Sequence, residues 1–92
     1  MITAVYKIKS LVREVNKTFE GESIKEICFQ MAIQIRKDGL DPDECVSITM
    51  AKESIKSFQV PFVQQKLKRY LGGRFRVLNN ADYTLTVTIF RR

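Results

Sequence analysis

The residues of this chain best suited to chemistry are cations crowded late in the sequence. From Lys66 onward come Lys68, Arg69, Arg74, Arg76, Arg91 and Arg92, with Asp82 the only carboxylate side chain among them. Residues 1–44 hold seven Lys/Arg against eight Asp/Glu and residues 45–92 hold nine against two, so the net charge of +6 resides entirely in the second half. A cluster of that kind suits an anionic partner, because guanidinium and ammonium groups neutralise phosphates or meet carboxylates. Bond-making chemistry is poorly provided for. Histidine is absent, so acid–base catalysis near neutral pH would need a strongly shifted carboxylate or lysine, and no local cluster suggests one. The chain reads as a non-enzyme with no cofactor.

The two cysteines, Cys28 and Cys45, lack C-x-x-C spacing. Without histidine, a zinc site would have to be assembled from carboxylates, so no metal is expected. Cys28 falls on the apolar stripe of a helix and Cys45 at a strand start, where free cysteine behaves as a small buried hydrophobe. Both are expected as reduced thiols.

Ninety-two residues suffice for one layered core, so a single α+β domain over residues 1–92 is expected. Hydrophobic content of 45% and charged content of 28% lie in the globular range. No apolar run approaches the roughly 18 residues that cross a bilayer, and no secretion-signal pattern opens the chain. A cytoplasmic location and no membrane partner are the expectation.

The elements that must position the cations follow from periodicity. Residues 2–9 alternate Ile2, Ala4, Tyr6 and Ile8 with Thr3, Val5, Lys7 and Lys9, which predicts a half-buried strand. Residues 10–20 carry both patterns: Leu11, Val15 and Phe19 suit a helix, whereas Val12, Glu14 and Asn16 suit a strand continuation or hairpin arm. Ser23-Ile-Lys-Glu26 has capping-box spacing, and Ile24, Ile27, Cys28, Met31 and Ile35 repeat at three and four before Gly39. A helix over 24–38 is predicted. Phe29 and Ile33 lie about 140° and 180° from Ile24 on that helix, forming a second apolar spot. It meets either the N-terminal segment or a partner chain.

Asp41-Pro42-Asp43 marks a turn, and Val46, Ile48 and Met50 alternate with Ser47 and Thr49 as a strand. Residues 52–59 read as a loop with one helical turn. Pro61 suits a helix start and biases Val60 towards an extended backbone, so a second helix is predicted over about 61–71, stopped by Gly72-Gly73. Residues 74–77 and 83–89 then alternate around Asn79-Asn80-Ala81-Asp82 as a β-hairpin. The expected fold is α+β, in β-α-β-α-β-β order, with two helices on one face of a four-stranded mixed sheet. That order resembles the plan of the Alba chromatin proteins and of the C-terminal domain of a bacterial translation initiation factor, both nucleic-acid binders. The resemblance is one of architecture.

With the apolar rows turned to the helices, the other sheet face would carry Lys7, Lys9, Ser47, Thr49, Arg74, Arg76, Thr84, Thr86, Thr88 and Phe90. Cations for phosphates, hydroxyl donors and an aromatic ring for a base are the ingredients of an open-sheet nucleic-acid surface. A solvated strand also favours threonine for its fit to the pleat. The end of the second helix and its turn, with Lys66, Lys68, Arg69, Gly72, Gly73, Arg74 and Arg76, form a second basic surface, and Arg91 and Arg92 extend the positive region. The late arginines and the hydroxyl-bearing strand positions are expected to converge into a common cationic surface that, with Phe90, contacts DNA or RNA, chiefly through phosphates.

Two other readings share the charge pattern. One is a small protein-interaction module or inhibitor, of the kind phages and mobile elements encode, docking its basic patch on an acidic protein surface. The other is a homodimer or larger homo-oligomer built through Phe29 and Ile33 or a sheet edge. A nuclease reading is weak. Pro42-Asp43 with Glu53-Ser-Ile-Lys56 loosely resembles the PD-(D/E)xK nucleases, which would imply metal-bound carboxylates beside a lysine. The final spacing is E-x-x-K, however, and Pro42-Asp43 precedes its strand.

Overall fold

A computed structural model of the chain describes residues 1–90. In chain order the elements are β1 (Ile2–Lys9), β2 (Glu14–Gly21), α1 (Ile24–Asp38), β3 (Cys45–Met50), α2 (Val60–Leu71), β4 (Phe75–Asn79) and β5 (Thr84–Ile89). Short 3-10 turns at Lys52–Ser54 and Ser57–Gln59 bridge β3 to α2. The sheet has five strands in the order β2-β1-β3-β5-β4, and every pairing is antiparallel. The α+β class and the two helices agree with expectation. Strand count and sheet type do not.

The fifth strand is β2, the segment with two competing patterns. Its alternation is broken by Lys17, which stands opposite Tyr6 between the helix-facing Val15 and Phe19. An inward-row lysine is tolerated because β2 is an edge strand, where charge also discourages pairing with other chains. The inserted hairpin arm reverses the chain before α1, so β3 returns antiparallel to β1 and the sheet is not mixed. The likeness to the two nucleic-acid-binding families rested on a four-strand order and lapses with it.

The Ser23 side chain accepts from the Glu26 amide and caps α1, and Gly39 ends it by donating to the Ile35 carbonyl. At the junction before α1, Gly21 passes so close that an added Cβ would stand 3.0 Å from the Ile27 nitrogen. Pro61 lies in the first turn of α2. Val60 departs from the extended bias of a pre-proline residue and has helical angles (φ −59°, ψ −40°). The preceding 3-10 turn runs directly into α2, and Val60 is buried there, which offsets the pre-proline clash. Both helices cover one sheet face. Tyr6, Ile8, Ile48, Leu85 and Val87 from the sheet meet Ile27, Met31, Ile35, Val63 and Leu67 in a continuous core.

Arg13, in the β1–β2 turn, locks this hairpin to the far end of α1. Its Nε and Nη2 donate to Glu44 at 2.9 and 2.7 Å, while Nη1 and Nη2 reach the Asp38 and Gly39 carbonyls. Glu44 is buried and also accepts from the Asp41 amide. Hydrogen bonds from Arg13 and that amide hold the Glu44 carboxyl down at about 2. A depressed carboxyl stabilises the fold above its ordinary value near 4.5 and loses that contribution as pH falls towards 2. Wild type is therefore expected to melt higher than Glu44→Gln at pH 6, with the two thermal midpoints converging by about pH 2. Parallel midpoint curves over that range would contradict the assignment.

The β4–β5 tip stores backbone strain. Ala81, Asp82 and Tyr83 have φ of 74°, 50° and 64° in succession, a conformation that disfavours side chains with a Cβ. Ala81→Gly is expected to stabilise the domain by roughly 0.5–1 kcal/mol in denaturant titration, since native strain relief outweighs the added unfolded-state freedom.

No helix among the described residues is long and apolar enough to cross a membrane.

Candidate nucleic-acid interface

The uncovered sheet face is read directly from the strand register. One row across it is Asn16, Lys7, Ser47, Thr86 and Leu78, and another runs through Thr18, Val5, Thr49 and Thr84. At one end of the face Thr88 stands between Cys45 and Arg76, while Lys9 faces Glu14 on the outer strand. The hydroxyl rows are where the alternation put them. Charge is distributed unevenly: β2 contributes Glu14 and Glu20 to this face, β1 contributes Lys7 and Lys9, and β4 at the opposite edge contributes Arg76.

There Arg76 lies over Phe90, with its guanidinium carbon 4.9 Å from the ring centroid. The Phe90 amide donates to the Arg74 carbonyl at 2.7 Å, continuing the β4–β5 ladder and fixing the ring beside Arg76. A planar cation stacked on a ring is a pre-ordered platform for phosphate or base.

Around the β4 edge, the turn from α2 brings up further cations. Gly72 takes φ +87° and donates to the Lys68 carbonyl, a helix stop that a residue with a Cβ would strain. Lys68, Arg69, Gln65 and the two glycines line a shallow concavity of about 420 Å³. Nothing lies within 4 Å of a Cβ built on Gly73, so its backbone is open to approach. The helix-stop reading of Gly72-Gly73 is the one the geometry bears out, and the cations over this helix end offset its partial negative charge.

The late arginines and the hydroxyl rows share a surface only at the β4 edge, through Arg76. Lys7, Lys9, Arg76 and Phe90 occupy the open sheet face, whereas Lys66, Lys68 and Arg69 belong to α2 on the covered side. Arg74 was assigned to the open face by alternation, but it precedes β4 and lines a cleft with Arg36, Leu71 and Phe75 at the helix ends. The sheet separates these groups because the helices bury its other face. Lys68 and Arg69 flank the Gly72-Gly73 turn, which leads through Arg74 to Arg76 on β4. Lys7 and Lys9 are three strand intervals from β4, about 14 Å, and Lys66 turns into the seam between the helices, where its charge acts on Cys28. Arg91 and Arg92 lie outside the described residues.

Burial leaves Cys28 inert: its thiol lies 3.5 Å from the Val63 carbonyl and is pushed up to about 12. Cys45 departs from expectation, since the first residue of β3 faces out and is exposed. Both are free thiols. Asp43 and Glu53 flank the two ends of β3, six residues long and thus roughly 20 Å, so the nuclease-like carboxylates do not share a site.

Phe29 and Ile33 are 57% and 48% exposed, and the N-terminal hairpin does not cover them. Instead Phe29 packs edge-to-face on Tyr70 of α2, with centroids 5.9 Å apart. Phe62, 58% exposed, extends this aromatic line and was not expected there from the sequence. Its signal was present, as Phe62, Lys66 and Tyr70 repeat at four along α2.

No family model matches the chain, and neither a curated protein nor a solved structure matches it.

Proposed function

We propose that this is a non-enzymatic binding domain that contacts nucleic acid along the α2–β4 corner, chiefly through phosphates. The observation that carries the reading is the lack of carboxylate partners for its cations. Among the described residues, the only salt bridge joins Arg13 to Glu44, so Lys68, Arg69, Arg74 and Arg76 hold unneutralised charge from the end of α2 to the edge strand β4. The two acidic residues of the second half, Glu53 and Asp82, lie beyond the far end of β3 and at the β4–β5 tip. Charge without an internal partner is worth little to the fold and a good deal to an anion.

A phosphate backbone following this edge meets Lys68 and Arg69 on the helical side, Arg74 at the rim, and Arg76 with Phe90 on the sheet side. Backbone contacts dominate, so little sequence discrimination is expected. The test is filter binding to a duplex and to a single-stranded oligonucleotide at 50–200 mM salt. Four to six phosphate contacts give an affinity loss of roughly 10²–10³-fold over that range. Absence of binding at the lowest salt, or binding indifferent to salt, removes the proposal.

A further inference from the structure

The seam between the helices forms a second surface with its own chemistry. Successive contacts from Cys28 to Val63 and from Arg36 to Tyr70 advance together along the chain, so α1 and α2 run in the same direction. Phe29 and Ile33 repeat at four on α1, and Phe62, Lys66 and Tyr70 repeat at four on α2. These are the i±4 rows whose grooves accept the side-chain ridges of another helix. At one end of the seam, Ile24, Phe62, Lys66 and Arg69 line a groove of about 290 Å³, small for a cofactor.

The geometry points to a helix-in-groove docking site for an acidic amphipathic helix of a partner protein, seated along Phe29, Ile33, Phe62 and Tyr70 with its carboxylates on Lys66 and Arg69. Charge selects this occupant over a second copy of the chain. In a two-fold dimer through the same seam, the end bearing Lys66 and Arg69 would lie against the second copy's opposite end, where Arg36 reaches Tyr70, so cations would again meet cations. An acidic helix instead supplies carboxylates to both cations, neither of which has an ion-pair partner among the described residues. Three large apolar side chains that are about half exposed supply the anchors such a helix needs.

The experiment is fluorescence anisotropy with a labelled peptide of about 14 residues, four helical turns. Its leucines are spaced at three and four with glutamates between them. A peptide of the same composition without helical spacing and a lysine-for-glutamate version serve as controls. The periodic acidic peptide is expected to bind about tenfold or more tightly than either control. Phe62→Ser and the pair Phe29→Ser/Ile33→Ser are each expected to weaken it by a similar factor while leaving oligonucleotide binding unchanged. All of these positions are exposed, and circular dichroism checks that the variants remain folded. Equal binding of the scrambled peptide, no binding of the acidic one, or indifference to both sets of substitutions overturns the site. Sedimentation supplies the remaining outcome: a concentration-dependent dimer abolished by Phe62→Ser assigns the seam to a second copy and also overturns it.

Discussion

Alanine at Lys68, Arg69, Arg74 and Arg76 together is expected to lower oligonucleotide affinity by about 10³–10⁴-fold at 0.1 M salt. A loss of that size comes from the counterion slope, close to −0.9 per phosphate contact, carried over one decade of salt from 1 M for four contacts. The same variant should show a salt slope shallower by about 3.6 than wild type. Stability should change little, since none of the four side chains is in the core or in an ion pair among the described residues. The two halves separate the sides of the edge. Lys68→Ala/Arg69→Ala removes the helical side, and Arg74→Ala/Arg76→Ala the rim and sheet side. If one duplex wraps the corner, each pair costs comparable affinity. A loss confined to one pair restricts contact to that face, and full affinity in the quadruple variant places the binding surface elsewhere. Phe90→Ala separates the ligands: loss of a stacked base costs roughly 1–3 kcal/mol on single strands and leaves duplex binding nearly intact.

Tyr6→Ala should be the most damaging single substitution for the fold. Tyr6 is fully buried, packs edge-to-face on Phe19 at 5.6 Å, and donates its hydroxyl to Asp38 at 2.6 Å. It thereby joins the interior strand β1 to the end of α1. Emptying an aromatic site of this kind costs about 3–5 kcal/mol, against roughly 5–10 kcal/mol for a domain this size. The thermal midpoint should fall by well over 10 °C. Tyr6→Phe keeps the ring and loses only the bond to Asp38, which retains Gln34 at 2.8 Å. A cost of about 1–2 kcal/mol is expected. Burial and the Asp38 carboxylate push the phenol well above its ordinary value of 10.0. Above pH 10 the unfolded chain sheds this proton while the fold keeps it, so stability should decline with rising pH. Tyr6→Phe should flatten that alkaline decline. If wild type and Tyr6→Phe lose stability alike with rising pH, the hydroxyl does not carry the effect.

The elements with chemical punctuation were legible from residues alone. Ser23 with Glu26, and Gly39 at the other end, bounded α1 at the observed residues because caps satisfy amides and carbonyls that have no other partner. Pro61 and Gly72 did the same for α2 to within one residue. Strand β2 was harder to see, since Lys17 interrupts its apolar row and only the edge position of β2 makes that interruption harmless. An unseen hairpin arm inverts the direction of every later strand, so an antiparallel sheet reads as a mixed one. Arg13 and Glu44 gave no signal, being 31 residues apart with no local pattern.

Local spacing, acting within one helical turn or one pleat, determined the helices, the hydroxyl rows, the uncovered sheet face and the excess charge of the second half. The tertiary structure alone decided how those charges are shared between the two sides of the sheet. It left Phe29, Ile33 and Phe62 uncovered and brought Arg76 onto Phe90 at the β4 edge. The physical reason is that side-chain periodicity specifies a face of each element, whereas the meeting of faces depends on strand order and crossover direction. Those are set by long-range burial of the whole core.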